Sequence, residues 1–158
     1  MNVNIICVGK IKEKYFAEAI AEFEKRLGRF CTFRITELPD RPIPDKASPA
    51  QEAAVLEAEG ADILKAIKKG DYVIALCVEG KELSSEEWAA KTADITRTHS
   101  AITYVIGGSL GLSPEVKARA DLRLSLGRIT LPHRIARLVL TEQIYRCFKI
   151  NANETYHK

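Results

Sequence analysis

Two stretches late in the chain carry residue types that could grip a small organic ligand. The first is IGGSLGLSPE, Ile106 to Glu115, where Gly107, Gly108 and Gly111 allow a ligand close to the main chain. Its spacing is G-G-x-x-G and it comes late, unlike the GxGxxG that opens a dinucleotide-binding unit. A tight turn with no ligand accounts for it equally well. The second is GRITLPHR, Gly127 to Arg134, an apolar loop with one proline. Ile129, Leu131 and Pro132 should cover either a flat apolar ligand or another protein surface. His133 either caps the helix that follows or belongs to a ligand site. At the end, Tyr156, His157 and Lys158 combine a stacking ring, an imidazole and a cation. That mix suits a nucleotide, and it also suits a disordered terminus.

Other chemistries lack their residues. Ser109 has no GxSxG context. His99, His133 and His157 lack metal-ligand spacing, so no metal is expected. No P-loop lysine motif is present. Cys7, Cys31, Cys77 and Cys147 are far apart, without a CxxC, and three of them sit in apolar runs. They read as reduced thiols of a cytoplasmic protein. No stretch approaches the roughly 20 apolar residues that span a bilayer. The opening MNVNIICVGKIKEKY puts its charge after its apolar run, the reverse of a secretory signal, and reads as a mature cytosolic start.

The elements that must position these loops follow from a chain of 158 residues, which favours one domain over 1–158. Such a domain buries roughly 70% of its unfolded surface and needs no disulfide or metal to fold. Net charge is +3, unevenly spread. Glu115 to Lys158 holds nine lysines and arginines against four acidic residues, and the rest holds 15 against 17. That excess is either a patch for a polyanion or a solvated face.

Strands are expected at Asn2–Val8, Thr32–Leu38, Asp71–Val78, Ala101–Ile106 and around Leu122 to Leu126, from their β-branched and alternating patterns. Helices are expected at Tyr15–Leu27, closed by a left-handed Gly28, and from Pro49 to Lys69. Three more are expected through Trp88 to about Arg97, from Pro114 to Ala120, and from about Arg134 to Ile150. Ser48 with Gln51, and Ser84 with Glu87, have the spacing of capping boxes. Strand-helix alternation predicts a mainly parallel α/β sheet with helices on both faces. Ligands of such sheets bind at the carboxyl ends of the strands, so the loops after Val78, Ile106 and Leu126 matter most. The last helix is apolar on several sides, and a homodimer partner is an economical cover. Arg137, Arg146 and Lys149 remain for a polyanion or for surface pairs.

Four strings, VGKIKEKY, VIGGSLGLS, ITLPHRIARLVLTEQIYR and the terminal YHK, resemble the RlmH family of bacterial large-subunit ribosomal RNA pseudouridine methyltransferases. The likeness spans essentially the whole chain, and the TLPH…EQIYR block with YHK is its specific part. It implies a SPOUT fold: a parallel sheet of five to six strands whose C-terminal part is threaded into a trefoil knot. It also implies a homodimer and an S-adenosylmethionine site at Leu76, Gly107, Gly108, Arg128, Ile129, Thr130, Leu131, Pro132 and His133. The implied reaction is methyl transfer to N3 of a pseudouridine, on the assembled ribosome. His157 is the candidate base, Tyr156 a stacking ring, and Arg146 or Lys158 a phosphate contact. Two alternatives remain: a SPOUT enzyme acting on another RNA atom such as a ribose 2′-oxygen, and a non-catalytic RNA- or ribosome-binding module.

Overall fold

The computed structural model describes residues 1–156. Five strands, β1 (Asn2–Val8), β2 (Thr32–Leu38), β3 (Tyr72–Glu82), β4 (Ala101–Ile106) and β5 (Leu122–Ser125), form one sheet in the order β2-β1-β4-β3-β5. All neighbours pair in parallel. The helices are α1 (Lys14–Leu27), α2 (Pro49–Ala66), α3 (Ser85–Thr98), α4 (Pro114–Arg119) and α5 (His133–Asn151).

Alternation along the strands divides the core. Val3, Ile5 and Cys7 of β1 join Leu27, Trp88 and Leu140, so α1, α3 and α5 cover one face. Ile6 and Val8 join Ile63 and Val116, so α2 and α4 cover the other. Each large apolar side chain buried this way contributes about 1.5–3 kcal/mol. α5 packs between α1 and α3. Tyr145 meets Phe23 and Phe30, and Phe30 stacks on Phe148 at 5.8 Å between ring centroids. Much of the apolar surface of α5 is therefore covered within one chain.

Local signals act where the sequence puts them. Ser48 and Gln51, and Ser84 and Glu87, cap α2 and α3 reciprocally. Gly28 differs from expectation: its φ is −56, right-handed, because Phe30 and Cys31 N–H both return to Leu27 O. The helix end continues as a right-handed turn and has no use for a left-handed cap. β3 also runs past Val78. Leu124 of β5 pairs with Leu76 and again with Lys81, so the four residues between them bulge from the ladder. A Cβ on Gly80 would lie 2.6 Å from the Leu124 carbonyl carbon, so only glycine permits that return. The described part of the tail, to Tyr156, folds back on α5. Asn153 takes φ 54, Ala152 N–H donates to Phe148 O and Glu154 N–H to Lys149 O, which closes α5.

Candidate active site

The chain passes from β4 across β3 to β5, and the three carboxyl ends face one cavity of ≈ 690 Å³. Its walls are the β3 bulge, the glycine loop after β4 and the loop after β5. Leu76, Gly107, Gly108, Ile129, Thr130, Leu131, Pro132 and His133 all line it, and Arg128 alone of the expected nine does not. Residues that the sequence did not mark as ligand contacts line it too: Cys77, Glu79 and Lys117. β3 was legible, but the bulge that turns 77–79 toward the cavity depends on pairing with β5.

The glycines have structural reasons beyond ligand access. Gly111 N–H donates to Gly108 O at 3.0 Å, and Gly111 takes φ +79. A Cβ on Gly107 would collide with the Gly111 carbonyl, and one on Gly108 would meet the Glu59 carboxylate at 2.9 Å. Glu59 is buried and accepts from Arg41 N–H at 3.1 Å. On the opposite wall Gly127, at φ +124, donates to Ser125 Oγ at 3.2 Å. Glu79 pairs with Lys117 at the lip. Val78 is 52% exposed and Ile129 72% exposed, so the rim is apolar and open.

Pro132 occupies the N-cap of α5 and makes no side-chain cap bond, and His133 is its first helical residue. Burial and the Arg137 guanidinium hold the His133 imidazole below its ordinary pKa of 6.5, with Asp40 opposing. It is a neutral ring at pH 7. Arg137 is no surface cation: 2% exposed, it donates to Glu37 Oε1 at 2.5 Å and to Gly9 O at 2.9 Å. The basic excess of the C-terminal third is largely paired. Lys117 meets Glu79, Arg119 Asp121, Arg134 Glu13, Arg146 Glu142 and Lys149 Glu154.

Arg146 and Tyr156 lie elsewhere. The Arg146 guanidinium sits 4.7 Å from the Tyr156 ring centroid, and Glu142 Oε1 accepts from both side chains. Tyr156 also packs edge-on against Tyr145. Burial and the Glu142 carboxylate push the Tyr156 phenol up, so it stays protonated. Arg146 is ten residues along α5 from Ala136, the cavity-lining residue nearest to it on that helix, which is about 15 Å of helix rise. The pair and its own chain's cavity are therefore apart. His157 lies outside the described residues.

The thiols are all raised above their ordinary value by burial: Cys7 and Cys31 to about 11, Cys147 to about 12, and Cys77 less. None is a thiolate nucleophile at neutral pH. Among the described residues no group of three His, Cys, Asp or Glu could hold a metal.

The family model described as "Predicted SPOUT methyltransferase" matches residues 1–157. The chain belongs to the SPOUT methyltransferase family. It is 58% identical over 159 residues to "Ribosomal RNA large subunit methyltransferase H" of Ligilactobacillus salivarius (strain UCC118), covering 100% of both chains. The proteins of that name from Lactiplantibacillus plantarum and Streptococcus uberis are 55% and 53% identical, again over 100% of both chains. A probable methylase family protein from Haemophilus influenzae Rd KW20 shares the fold at TM-score 0.55 and 15% identity, covering 99% of this chain and 70% of that one. TrmJ from Z. mobilis ZM4 does so at 0.54 and 16%, covering 93% and 70%. The parallel sheet flanked by helices is thus the SPOUT methyltransferase sheet.

Proposed function

We propose that this SPOUT methyltransferase uses S-adenosylmethionine to methylate N3 of a pseudouridine in large-subunit ribosomal RNA, on the assembled ribosome in the cytoplasm. The observation that carries the reading is the cavity at the ends of β3, β4 and β5, whose size falls in the range of small-molecule sites and whose walls are apolar and glycine-bounded. The names of the full-length relatives support the RNA substrate. The trefoil threading of the C-terminal segment is part of the same reading, supported by the family match.

The residues fit an adenosyl group. Leu76, Ile129, Leu131 and Pro132 would sandwich adenine, and main-chain N–H and C=O groups of the loops after β4 and β5 would meet its edges. A neutral His133 adds no charge to repel a sulfonium. Arg128 would close over the rim. S-adenosylmethionine, when bound, supplies an electrophilic methyl group. The protein's contribution is then alignment, which can supply roughly 7–11 kcal/mol. The N3 proton needs an acceptor, a role worth about 10²–10⁴-fold. Tyr156 is a protonated phenol suited to stacking, so His157 is the candidate base. Arg146, exchanging Glu142, or Lys158 would hold phosphate.

A homodimer completes this site. Arg146, with Tyr156 packed on it, lies about 15 Å of helix rise beyond Ala136 on the cavity wall, and a second copy would bring the pair to that cavity. The open rim of Val78 and Ile129 would be covered in the same contact. Mixing a Leu131→Asp chain with an Arg146→Ala chain should restore activity that neither has alone.

Nucleoside mass spectrometry of ribosomal RNA tests the substrate. Cells lacking the protein should lose one base-methylated pseudouridine from the large subunit. A methyl group lost from a ribose 2′-oxygen, or no loss, would overturn the assignment.

A further inference from the structure

The opening string VGKIKEKY is not in the lining of the cavity at the ends of β3, β4 and β5, yet the fold fixes it beside that cavity. Gly9 turns the chain out of β1 at φ +89, and its N–H donates to Leu38 O at 2.8 Å. The buried Arg137 holds its carbonyl. Ile11 N–H reaches Glu37 Oε1 at 3.5 Å, and Glu13 pairs with Arg134 of α5. The His133 ring on the cavity wall lies against Gly9. A short irregular connection is thus pinned at both sheet and helix.

What this frame turns outward is cationic and aromatic. Lys10, Lys12, Lys14 and Tyr15 are all exposed. Lys10 and Lys12 have no ion pair among the described residues. Lys14 has only an exposed pair with Glu18 at 3.6 Å, worth little in water. Of the neighbouring acids, Glu13 and Glu37 are occupied by Arg134 and Arg137, and Asp40 lies beside Gly9 and His133. α1 begins with Lys14 after an N-cap Glu13 that makes no side-chain cap bond and pairs with Arg134, and its first turn holds no acid. Tyr15 is 67% exposed. With the C-terminal cations largely paired, this loop is a source of free positive charge beside the cavity.

We propose that residues 9–15 dock the RNA strand flanking the target nucleotide, with Lys10 and Lys12 on phosphates and Tyr15 stacked on an unpaired base. The proposal rests on the RNA-methyltransferase reading above. A rigid frame against the cavity suits a strand that must deliver one base. A membrane surface would instead be met by an amphipathic helix, and the apolar side of α1 is turned into the core at Ile20 and Leu27.

The test is steady-state methylation of ribosomes purified from cells lacking the protein, at several potassium chloride concentrations. Lys10→Gln/Lys12→Gln should raise KM for ribosomes several-fold and leave kcat and S-adenosylmethionine affinity as in wild type. Its plot of log KM against log salt should be shallower by about one to two, as two lost phosphate contacts require. Tyr15→Ala should raise KM without changing that slope. A double variant with wild-type KM and slope overturns the proposal while the enzyme reading stands. Loss of binding to phosphatidylglycerol vesicles with unchanged ribosome KM overturns it in favour of a membrane. A wild-type protein that methylates no ribosome overturns both.

Discussion

At the scale of single residues, the account turns on His133 and Arg137, which both lie against Gly9. Burial, and after it the Arg137 guanidinium, depress the pKa of His133, and that depression carries a sign for stability. The fold favours the neutral ring, so His133 contributes stability above about pH 6.5 that is lost as pH falls through its lower folded value. Thermal denaturation from pH 7 to pH 5 should show that loss, and His133→Gln should flatten it. Arg137→Met should destabilise by about 1–3 kcal/mol, since the Gly9 carbonyl loses its donor and the half-exposed Glu37 can turn to water. In that variant the His133 pKa, followed by NMR, should rise. Unchanged values would show that Arg137 does not set the imidazole's charge. The sequence offers Arg137 to a polyanion or to a surface pair. Nothing local announces that a helix arginine will meet a β2 carboxylate 100 residues away.

At the scale of elements, legibility follows range. The capping boxes of α2 and α3 and the bounds of β1, β2 and β4 were readable because the cap bonds of the former and the apolar patterning of the latter lie within a few residues. Gly28, the β3 bulge and the tail were not: the turn at Gly28 closes through Phe30 and Cys31 N–H on Leu27 O, which no residue type announces, and the other two depend on distant contacts, Leu124 with Lys81 and Tyr156 with Tyr145. The candidate site was legible as three loops, because strand ends in an alternating α/β chain converge. The bulge residues Cys77 and Glu79 were not singled out. The glycine loop yields an element-scale prediction. Gly107→Ala forces a Cβ into the Gly111 carbonyl, so it should cost about 1–3 kcal/mol in chemical denaturation even with no ligand present. A variant as stable as wild type would show that the turn has slack and that Gly107 serves only a ligand.

At the scale of the whole molecule, one chain holds a cavity at one end of α5 and the Arg146–Tyr156 pair toward the other, so the proposed shared site requires two copies. Light scattering should give twice the 17.6 kDa chain mass, and a monomer that is fully active would refute the shared site. The sheet order brings three loops from separate strands to one place, and everything proposed for catalysis depends on that place gripping an adenosyl group. Calorimetric titration of S-adenosylmethionine into the wild-type protein and into Leu131→Asp measures this most directly. The account predicts one cofactor bound per cavity in the wild type and at least tenfold weaker binding in a Leu131→Asp protein that melts as wild type does. No binding by the wild type, or equal binding by both, would contradict it.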